Sequence, residues 1–499
     1  MSTIAPLAAR DLEPAVADSL SATGRPVADF RGQLSWALFE WARAPYVVLV
    51  AMYVFAPYFT NVVIGDPVRG QGYWSLANTL AGFLVAIIAP LGGAMADRMG
   101  RRKPWLVVIA VIMAMNCIAL WWVMPGAASG PSVTTVLCLI IVLAACFSCG
   151  EVFHNAMLPS IVASRDIGRL SGIGLAVNNA GALLVLCAVL TTIALPAADY
   201  LDWRFLPERP WFGLDPATHD HERIAGPIAG IWLLVFHLPL LLWTPDMTST
   251  GVTVRQAVGQ GLSQLATTMR RARQMANVGR YLLARMLYTD GLVAIIVYAG
   301  IYASGVFHWD VAAMLIFGLC LTPAGVAGGL LGGWIDTRIG SKRSIQIAIG
   351  GALIAMVGAV STTPEQVFFV PFDMADAAPL WPFPYFETLP EFVYLIMFVV
   401  LVVFIGAAFA TSRAMMARIS PLSMMSQFFG LYAVSGWATA FVGHGLVAFF
   451  TNVFNSQRAG FASPILLLLS GMVILTRVRE ERAADIPLPG DRENLPATA

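Results

Sequence analysis

The amino-acid sequence indicates an all-α membrane protein whose twelve transmembrane helices form two six-helix halves. Its composition, the spacing of its apolar stretches and an internal repeat support this. Of the 499 residues, 58% are hydrophobic and only 12% are charged, whereas about a quarter of the residues in a soluble domain are charged. The net charge of +1 forms no basic stripe, so we expect no nucleic-acid partner.

The apolar stretches have the length of membrane spans. A helix needs about 20 apolar residues to cross a hydrocarbon core of about 30 Å. We expect spans near residues 34–62, 74–96, 105–124, 134–158, 171–196, 226–244, 281–304, 311–335, 344–361, 391–416, 424–448 and 460–477. Because this number is even, both termini lie on the same side.

The positive charges indicate which side that is. Cytoplasmic segments retain Lys and Arg more readily than translocated ones. With both termini inside, the outer loops hold only Arg69, Arg204, Arg209, Arg223 and Arg458 of the 30 Lys and Arg residues. We therefore expect cytoplasmic termini. Residues 1–30 lack the apolar core of a signal peptide and read as a polar cytoplasmic tail.

Two copies of one loop indicate a duplication. "GGAMADRMGRRK" from Gly92 follows span two, and "GGWIDTRIGSKR" from Gly332 follows span eight. "NAMLPSI" from Asn155 and "RAMMARI" from Arg413 repeat at the ends of spans four and ten. The expected organisation is a tail, an N-terminal bundle, an interfacial arginine-rich connector, a C-terminal bundle and a second tail, at 1–30, 31–244, 245–280, 281–478 and 479–499.

The repeated loop has the properties of a conformational latch. Glycine allows helices to approach closely, an acid caps or pairs at a helix end, and arginines anchor at the cytoplasmic face. We expect the latch to comprise Gly93, Asp97, Arg98, Gly100, Arg101 and Arg102, with Asp336, Arg338 and Gly340 in the second copy. Asp336 stands one position earlier in its copy than Asp97 does in the first copy, which predicts that the second latch holds its helices together more weakly. Alternatively, both loops only set the topology.

Four segments carry a resemblance to a known family. They are "SWALFEWARAPY", "HNAMLPSI", "YLLARMLYTDGLVAIIVYAGIYA" and "SRAMMARISP" with "QFFGLYAVSGWATAF". The chain resembles the major facilitator superfamily, and within it the vacuole-effluxer-like, or unknown major facilitator, branch. The resemblance implies pseudo-symmetric bundles around a central cavity lined by spans one, four, seven and ten. Relatives usually show Tyr-Asp-Trp-Ala-Asn where this chain has Phe39-Glu40-Trp41-Ala42-Arg43, so a relative's substrate does not transfer.

Ionisable residues inside these spans are the candidate site. Charged groups in a membrane are costly and mark ion or substrate sites by default. Glu40 and Arg43 share a helix face with Tyr46, because residues three apart are neighbours. The expected substrate-binding or ion-binding residues are Glu40, Arg43, Tyr46, Glu151, His154, Asn155, Arg285, Tyr288 and Asp290.

Charges of both signs suit a zwitterionic solute. Its carboxylate would bind Arg43 or Arg285 and its amine Glu40 or Asp290, while Glu40 would also take up a coupling proton. In the alternative interpretation these residues are structural ion pairs: Arg43 with Glu40 or Glu151, and Arg285 with Asp290.

Metal and cofactor sites are not expected. Glu151-x-x-His154 is the repeating unit of di-iron bundles, but such a site needs two copies and the sequence has one. Cys146 and Cys149 stand inside an apolar span without a second pair. The sequence has no G-x-x-x-x-G-K-[ST] loop, which argues against a primary pump.

The expected function is secondary active transport, not enzyme catalysis. The solute would be small and polar or zwitterionic, with amino acids as candidates, and alternating access would be coupled to protons. A non-transporting sensor or scaffold and an exporter of amphipathic drug-like compounds are the alternatives. We expect a monomer that contacts solute, protons and lipid. Of the 30 Lys and Arg residues, 28 are Arg and only Lys103 and Lys342 are Lys. This bias towards arginine indicates a GC-rich bacterial genome, which favours a bacterial inner membrane over a fungal vacuole.

Overall fold

The structure is a computed structural model. It describes residues 20–21, 25–125, 130–163, 166–198, 206–253, 256, 259, 275–371, 379–419, 432, 435–436 and 439–481. Side chains of residues 89–99, 167–168, 417 and 440 lie outside the description.

The described chain is mostly helical. Its main helices, in order, are α1 (Phe30–Pro45), α2 (Pro67–Met99), α3 (Lys103–Ala119), α4 (Val133–Ile161), α5 (Ile167–Val189), α6 (Ala225–Trp243), α7 (Ala276–Phe307), α8 (Val311–Ile339), α9 (Ser341–Val360), α10 (Leu389–Ile419), α11 (Ala440–Phe454) and α12 (Pro464–Thr476). Short helices at Asp220–Arg223 and Gln457–Ala462 precede α6 and α12, and a two-stranded hairpin pairs Gln366–Val367 with Val370–Pro371.

Each of these twelve helices overlaps one of the twelve predicted spans. Within the described residues, ten helices have the length and hydropathy to cross a membrane, and Phe441–Phe454 is a shorter apolar helix. The predicted start of span eleven, at 424, lies outside the described residues.

The first span changes its helical geometry at prolines. After α1 ends at Pro45, the chain continues as wide π-type turns over Tyr46–Tyr53, an α-turn over Phe55–Tyr58 and further π-type turns to Val63. Proline lacks the amide hydrogen that a regular α-helix requires. The Val54 and Ile64 amides accordingly bond five residues back, to Leu49 and Phe59.

The chain packs as two compact units. Unit 1 comprises Met1–Tyr58 and Ile88–Leu262, and unit 2 comprises Phe59–Ile87 and Ser263–Ala499. In unit 1, α1 packs against α5 and α6, and in unit 2, α10 packs against α8 and α9. The predicted bundle boundaries at 31–244 and 281–478 stay a prediction.

Residues 59–87 join unit 2 through specific contacts. Buried Gln71 donates its amide to Thr451 Oγ1 at 2.8 Å and to the Gln457 carbonyl at 3.1 Å. The Gln457 side chain donates to the carbonyl of Pro67 at 3.0 Å. Because buried amide groups need hydrogen-bond partners, these contacts fix the outer part of α2 within unit 2.

Small residues allow a close contact between α8 and α10 in unit 2. A Cβ added at Gly328 would stand 2.0 Å from the Val403 carbonyl oxygen, and one at Gly332 would stand 2.5 Å from Ala407 Cα. Glycines four residues apart allow transmembrane backbones to approach closely. This contact therefore requires glycine at both positions.

Hydrogen bonds fix the residues that come just before α1, while the predicted tail at 1–30 stays a prediction. Asp29 caps α1 by accepting a hydrogen bond from the Gly32 amide at 2.8 Å, and the Ala28 amide donates to the Ile161 carbonyl at 2.9 Å. The segment just before α1 is therefore fixed onto the end of α4.

Candidate functional site

A charged cluster in unit 1 brings together four of the predicted site residues. α1 supplies Glu40 and Arg43, which lie one helical turn apart, and α4 supplies Glu151 and His154. The same i, i+3 spacing in both helices places each pair on one face. We call these four residues the charged cluster.

Arg43 and His154 contact the acids directly. Arg43 Nη2 lies 3.1 Å from Glu151 Oε2, and Arg43 Nη1 lies 3.6 Å from Glu40 Oε1. His154 Nδ1 lies 3.1 Å from the same Glu40 oxygen. The side chains of Arg43 and His154 are 4% and 0% exposed, whereas those of Glu40 and Glu151 keep 22% and 29%. The two carboxylates are therefore more exposed than the guanidinium of Arg43 and the imidazole of His154 that they contact.

Aromatic rings form the walls of the charged cluster. The His154 ring stacks on Trp36 with a centroid distance of 4.3 Å, and Phe39 lies 4.5 Å away. The Arg43 guanidinium lies over Phe147 at 4.1 Å. A cation over an aromatic face is stabilised by the ring quadrupole, by up to about 2 kcal/mol where water is excluded.

Arg43 retains hydrogen-bonding capacity. Its Nε and Nη1 atoms are buried and have no hydrogen-bond partner among the described atoms. A buried donor without a partner costs about 1–3 kcal/mol. A carboxylate placed on this guanidinium would recover that cost.

Two predicted neighbours lie beside the charged cluster and make no ion pair with it among the described residues. Tyr46 is buried and packs against Phe147 with a centroid distance of 5.2 Å. Asn155 is exposed. Of the N-terminal candidates, the structure thus brings together only the four charged or titratable ones.

The candidates of unit 2 are arranged differently. Arg285 donates from Nη1 to the Tyr432 carbonyl at 2.7 Å and to the Ser435 hydroxyl, and its guanidinium covers the Tyr432 ring at 3.5 Å. Tyr288 shares a hydrogen bond of 2.7 Å with Ser412. Arg285 is therefore held by neutral partners.

Asp290 is not ion-paired with Arg285 among the described residues. Its side chain is 3% exposed, and Oδ2 has no described hydrogen-bond partner. Asp290 lies near Thr439 and within electrostatic range of Arg285 without a direct contact to that arginine, so the alternative of a structural Arg285–Asp290 pair stays a prediction.

The structure describes more side chains in the second copy of the predicted latch than in the first. The side chains of Gly93, Asp97 and Arg98 lie outside the description. Gly100 and Gly340 both adopt positive φ, at 83° and 86°, which glycine accommodates without strain. A Cβ at Gly100 would also overlap the Thr248 carbonyl oxygen at 2.1 Å. Both copies thus need glycine at the turn.

The arginines near these turns have separate surroundings. Arg101 is exposed, and Arg102 is buried and donates to Ser160 Oγ at 3.4 Å. Arg338 stacks on Trp334 at 4.1 Å.

In unit 2 the latch acid belongs to an ionic network. Asp336 accepts hydrogen bonds from the Ser341 hydroxyl and from Arg418 Nη2, the latter at 2.7 Å. Arg418 Nη1 donates to Glu480 at 2.6 Å. Asp336 is 7% exposed. Because the side chain of Asp97 lies outside the described residues, the predicted weakness of the second latch relative to the first stays a prediction.

Sequence reasoning missed the acids that cap α3 and α9. Asp246 accepts hydrogen bonds from the Arg102 and Lys103 amides at 3.0 and 3.1 Å, and Glu480 accepts from the Ser341 and Lys342 amides at 2.9 and 3.0 Å. Acids are favoured at helix N-termini because the amides there lack helical partners. The available signal was an acid shortly after spans six and twelve.

The environment of Glu480 changes its acidity. Burial alone would raise the pKa of this carboxyl, but hydrogen bonds from Arg418 and from the two α9 amides outweigh burial and lower the pKa below its usual value. Glu480 is therefore held as a carboxylate at the start of α9.

Comparisons with known proteins identify related sequences. The family model described as "Vacuole effluxer Atg22 like" matches residues 61–485. The uncharacterized MFS-type transporter YxiO of Bacillus subtilis is 22% identical over 457 residues, which cover 91% of this chain and 96% of the relative. Autophagy-related protein 22 of Cryptococcus neoformans is 24% identical over 273 residues, covering 52% of this chain and 44% of the fungal protein.

Solved structures show the same fold. A D-xylose-proton symporter matches with a TM-score of 0.61 and 15% identity, covering 90% of this chain and 98% of that one. A mutant form of the nucleoside transporter NupG matches with a TM-score of 0.60 and 11% identity, over 89% and 97% of the two chains. At such low identity the likeness establishes the twelve-helix architecture alone.

Proposed function

Because the chain belongs to the vacuole effluxer Atg22-like family of MFS-type membrane transporters, we propose that it is a proton-coupled secondary active transporter for a small zwitterionic solute. Amino acids are the first candidates. Transport would proceed by alternating access, and the protein would act as a transporter and not as an enzyme. The charged cluster of unit 1 would recognise the solute.

The buried guanidinium of Arg43 carries this proposal. It has two donors without described partners, and its ion-pair partner Glu151 is partly exposed. A solute carboxylate can replace Glu151 on Arg43, because arginine presents a planar set of donors that matches a carboxylate. Arg43 would then be the anion receptor of the transporter.

The displaced acids supply the complementary charge. Once a solute carboxylate holds Arg43, Glu151 loses its cation, and a solute amine can take that place. A solute with only one of the two charges would leave the charged cluster unbalanced. The arrangement therefore favours zwitterions over purely apolar or singly charged compounds.

Location and assembly follow from the same proposal. The bacterial relative supports a bacterial plasma membrane, and the family description supports a vacuolar membrane as the second option. The distribution of Lys and Arg along the sequence supports cytoplasmic termini. We propose that the transporter works as a monomer, with lipid around it and without a cofactor.

Binding of amino acids, sugars and nucleosides to the purified protein would test the substrate class. Thermal-shift measurements should show stabilisation by zwitterions, and their methyl esters, which lack the carboxylate charge, should bind at least tenfold more weakly. Arg43→Lys should weaken binding of the same zwitterion by roughly 10- to 100-fold, since charge-assisted hydrogen bonds contribute about 1.5–3 kcal/mol.

Arg69→Lys in a predicted outer loop is the matched control and should bind as the wild type does. Equal affinity for a zwitterion and its ester, or an Arg43→Lys variant that binds unchanged, would contradict the proposed role of Arg43.

A further inference from the structure

The orientation of the His154 ring is fixed by its neighbours. His154 Nε2 lies 2.9 Å from the backbone carbonyl oxygen of Trp36. A carbonyl oxygen can only accept, so Nε2 must carry a hydrogen and donate it. In return, the Trp36 indole donates to the His154 carbonyl at 3.1 Å. This reciprocal pair and the stacked Trp36 ring hold Nδ1 towards Glu40.

The contact between Nδ1 and Glu40 requires one more proton. Because Nε2 is the donor to Trp36, a neutral His154 would have a lone pair on Nδ1. That lone pair would lie 3.1 Å from a carboxylate oxygen, and two acceptors repel each other at this distance. Nδ1 is buried and makes no described hydrogen bond, so the contact is an ionic one. The contact becomes attractive only when a proton lies on one of the two atoms.

The charges of the cluster indicate which atom holds it. Glu40 and Glu151 together carry two negative charges, and Arg43 supplies one positive charge. Arg43 lies 3.6 Å from Glu40, which favours the carboxylate there. One added proton makes the charged cluster neutral on either atom, as burial of ionic groups requires, and Arg43 favours its place on His154 by keeping Glu40 a carboxylate. The stacked Trp36 ring also favours a cation at this position.

The helices packed around α1 supply no other compensating charge within the described part of unit 1. On α5, Arg169 near the start of the helix is exposed and makes no described ion pair with the cluster, and residues 170–189 contain no Asp, Glu, Lys, Arg or His. α6 contributes His237, which faces Phe39 edge-on at 5.2 Å, and makes no described ion pair with the cluster. On α4, Glu151 and His154 are the groups in contact with Glu40 and Arg43, while the thiols of Cys146 and Cys149 on the same helix make no described ion pair with the cluster. Tyr46, whose hydroxyl is also titratable, lies beyond Arg43 and directly follows α1.

We infer that His154 holds the coupling proton of the transporter on Nδ1 as an imidazolium, with Glu40 as its counter-ion. The inference rests on the proposed transport function and differs from the sequence-based expectation that Glu40 itself takes up the proton. On release, the Nδ1–H bond breaks, the electron pair stays on Nδ1 and the proton passes to water. Glu40 then depends on Arg43 for its positive partner.

This arrangement links solute and proton through one arginine. When a solute carboxylate replaces Glu151 on Arg43, it engages the guanidinium more fully, so Glu40 depends more strongly on the protonated His154 as its cation. Solute binding therefore strengthens proton binding, and by linkage the proton strengthens solute binding by the same factor. Solute is therefore expected to bind more tightly to the protein that holds this proton than to the protein that has released it.

Nitrogen NMR of the full-length chain in lipid nanodiscs, labelled with ¹⁵N-histidine, tests the protonation state without any solute. In the wild type at neutral pH, we expect His154 to show both ring nitrogens protonated. In Glu40→Gln, the same ring should become neutral with its hydrogen on Nε2, because the amide can donate to Nδ1. His237→Gln is the matched control, and it should leave the His154 signal unchanged.

A neutral His154 in the wild type would overturn the inference even if no variant folds. A His154 that stays doubly protonated in Glu40→Gln would also overturn it, because the proton would not depend on Glu40. The result is independent of transport: an imidazolium in a protein that binds no zwitterion would contradict the proposed solute while leaving the proton site intact.

Discussion

The charged cluster of unit 1 and the Arg285 region of unit 2 use the same residue types in different ways. In unit 1, one arginine lies against two acids, and a histidine contacts one of them. In unit 2, Arg285 binds a carbonyl and a hydroxyl, while Asp290 stays buried without a described partner for Oδ2. Only the first arrangement can exchange one ion pair for another.

The spacing along the helix explains part of this difference. Glu40 and Arg43 are three residues apart and so lie about 60° apart around the helix axis, whereas Arg285 and Asp290 are five apart and lie about 140° apart. The repeat in the sequence therefore duplicates the helices and their turns, but not the charge chemistry.

Removing the arginine of the charged cluster should have the largest effect on stability. Arg43→Ala leaves two acids without their shared cation, and breaking a buried ion pair by removing one partner costs about 3–5 kcal/mol. The free energy of unfolding in detergent with increasing denaturant would measure the loss. Arg43→Gln combined with Glu151→Gln should recover at least half of it. If Arg43→Ala lost less than about 1 kcal/mol, the cluster would not be an interdependent ionic group.

The two charges of unit 2 should respond in opposite ways. Arg285→Met leaves the Tyr432 carbonyl and the Ser435 hydroxyl without their donor and should cost about 1–3 kcal/mol. Asp290→Asn removes a buried charge that makes no described ion pair, and should leave stability unchanged or increase it. Parallel unfolding experiments on both variants would measure this. A loss from Asp290→Asn as large as that from Arg285→Met would indicate that Asp290 has a strong partner.

The capping acids at α3 and α9 should show the smallest effects. Glu480→Gln is expected to destabilise unit 2 by less than about 1 kcal/mol, because Glu480 and Arg418 are partly exposed. Since the folded pKa is lowered, the contribution of Glu480 is present above the pKa of the unfolded chain and is lost as the pH falls through the folded value. Unfolding of wild type and Glu480→Gln should therefore converge on acidification. A difference that persists at acid pH would show that the ionised carboxylate is not responsible.

The helices were predictable because membrane spans are set by local composition. Each predicted span overlaps a described helix. For span eleven, predicted at 424–448, only the end overlaps the helix Ala440–Phe454, and most of its earlier residues lie outside the described residues. The contact between Glu40 and Arg43 was also predictable, since it follows from spacing within one helix. The assignment of residues 59–87 to unit 2 was not predicted, because it depends on the buried contacts that Gln71 makes far along the chain.

The site was predicted less completely than the helices, because it also depends on contacts between residues that are far apart in the sequence. The choice of Glu151 by Arg43 and the orientation of His154 depend on how α1 meets α4, which no local pattern encodes. Asp246 and Glu480 were missed because each caps a helix far away in the sequence. The latch role of Asp97 stays a prediction, since its side chain lies outside the described residues.

Uptake into proteoliposomes most directly tests whether the charged cluster couples proton movement to solute transport. The solute would be the zwitterion that most stabilises the purified protein, and accumulation would be driven by an imposed pH gradient. We expect Glu40→Gln to abolish gradient-driven accumulation yet to retain exchange of labelled for unlabelled solute, while the outer-loop control Glu365→Gln behaves as the wild type. If Glu40→Gln accumulates solute with unchanged pH dependence, the charged cluster is a structural ion-pair group and the account is contradicted.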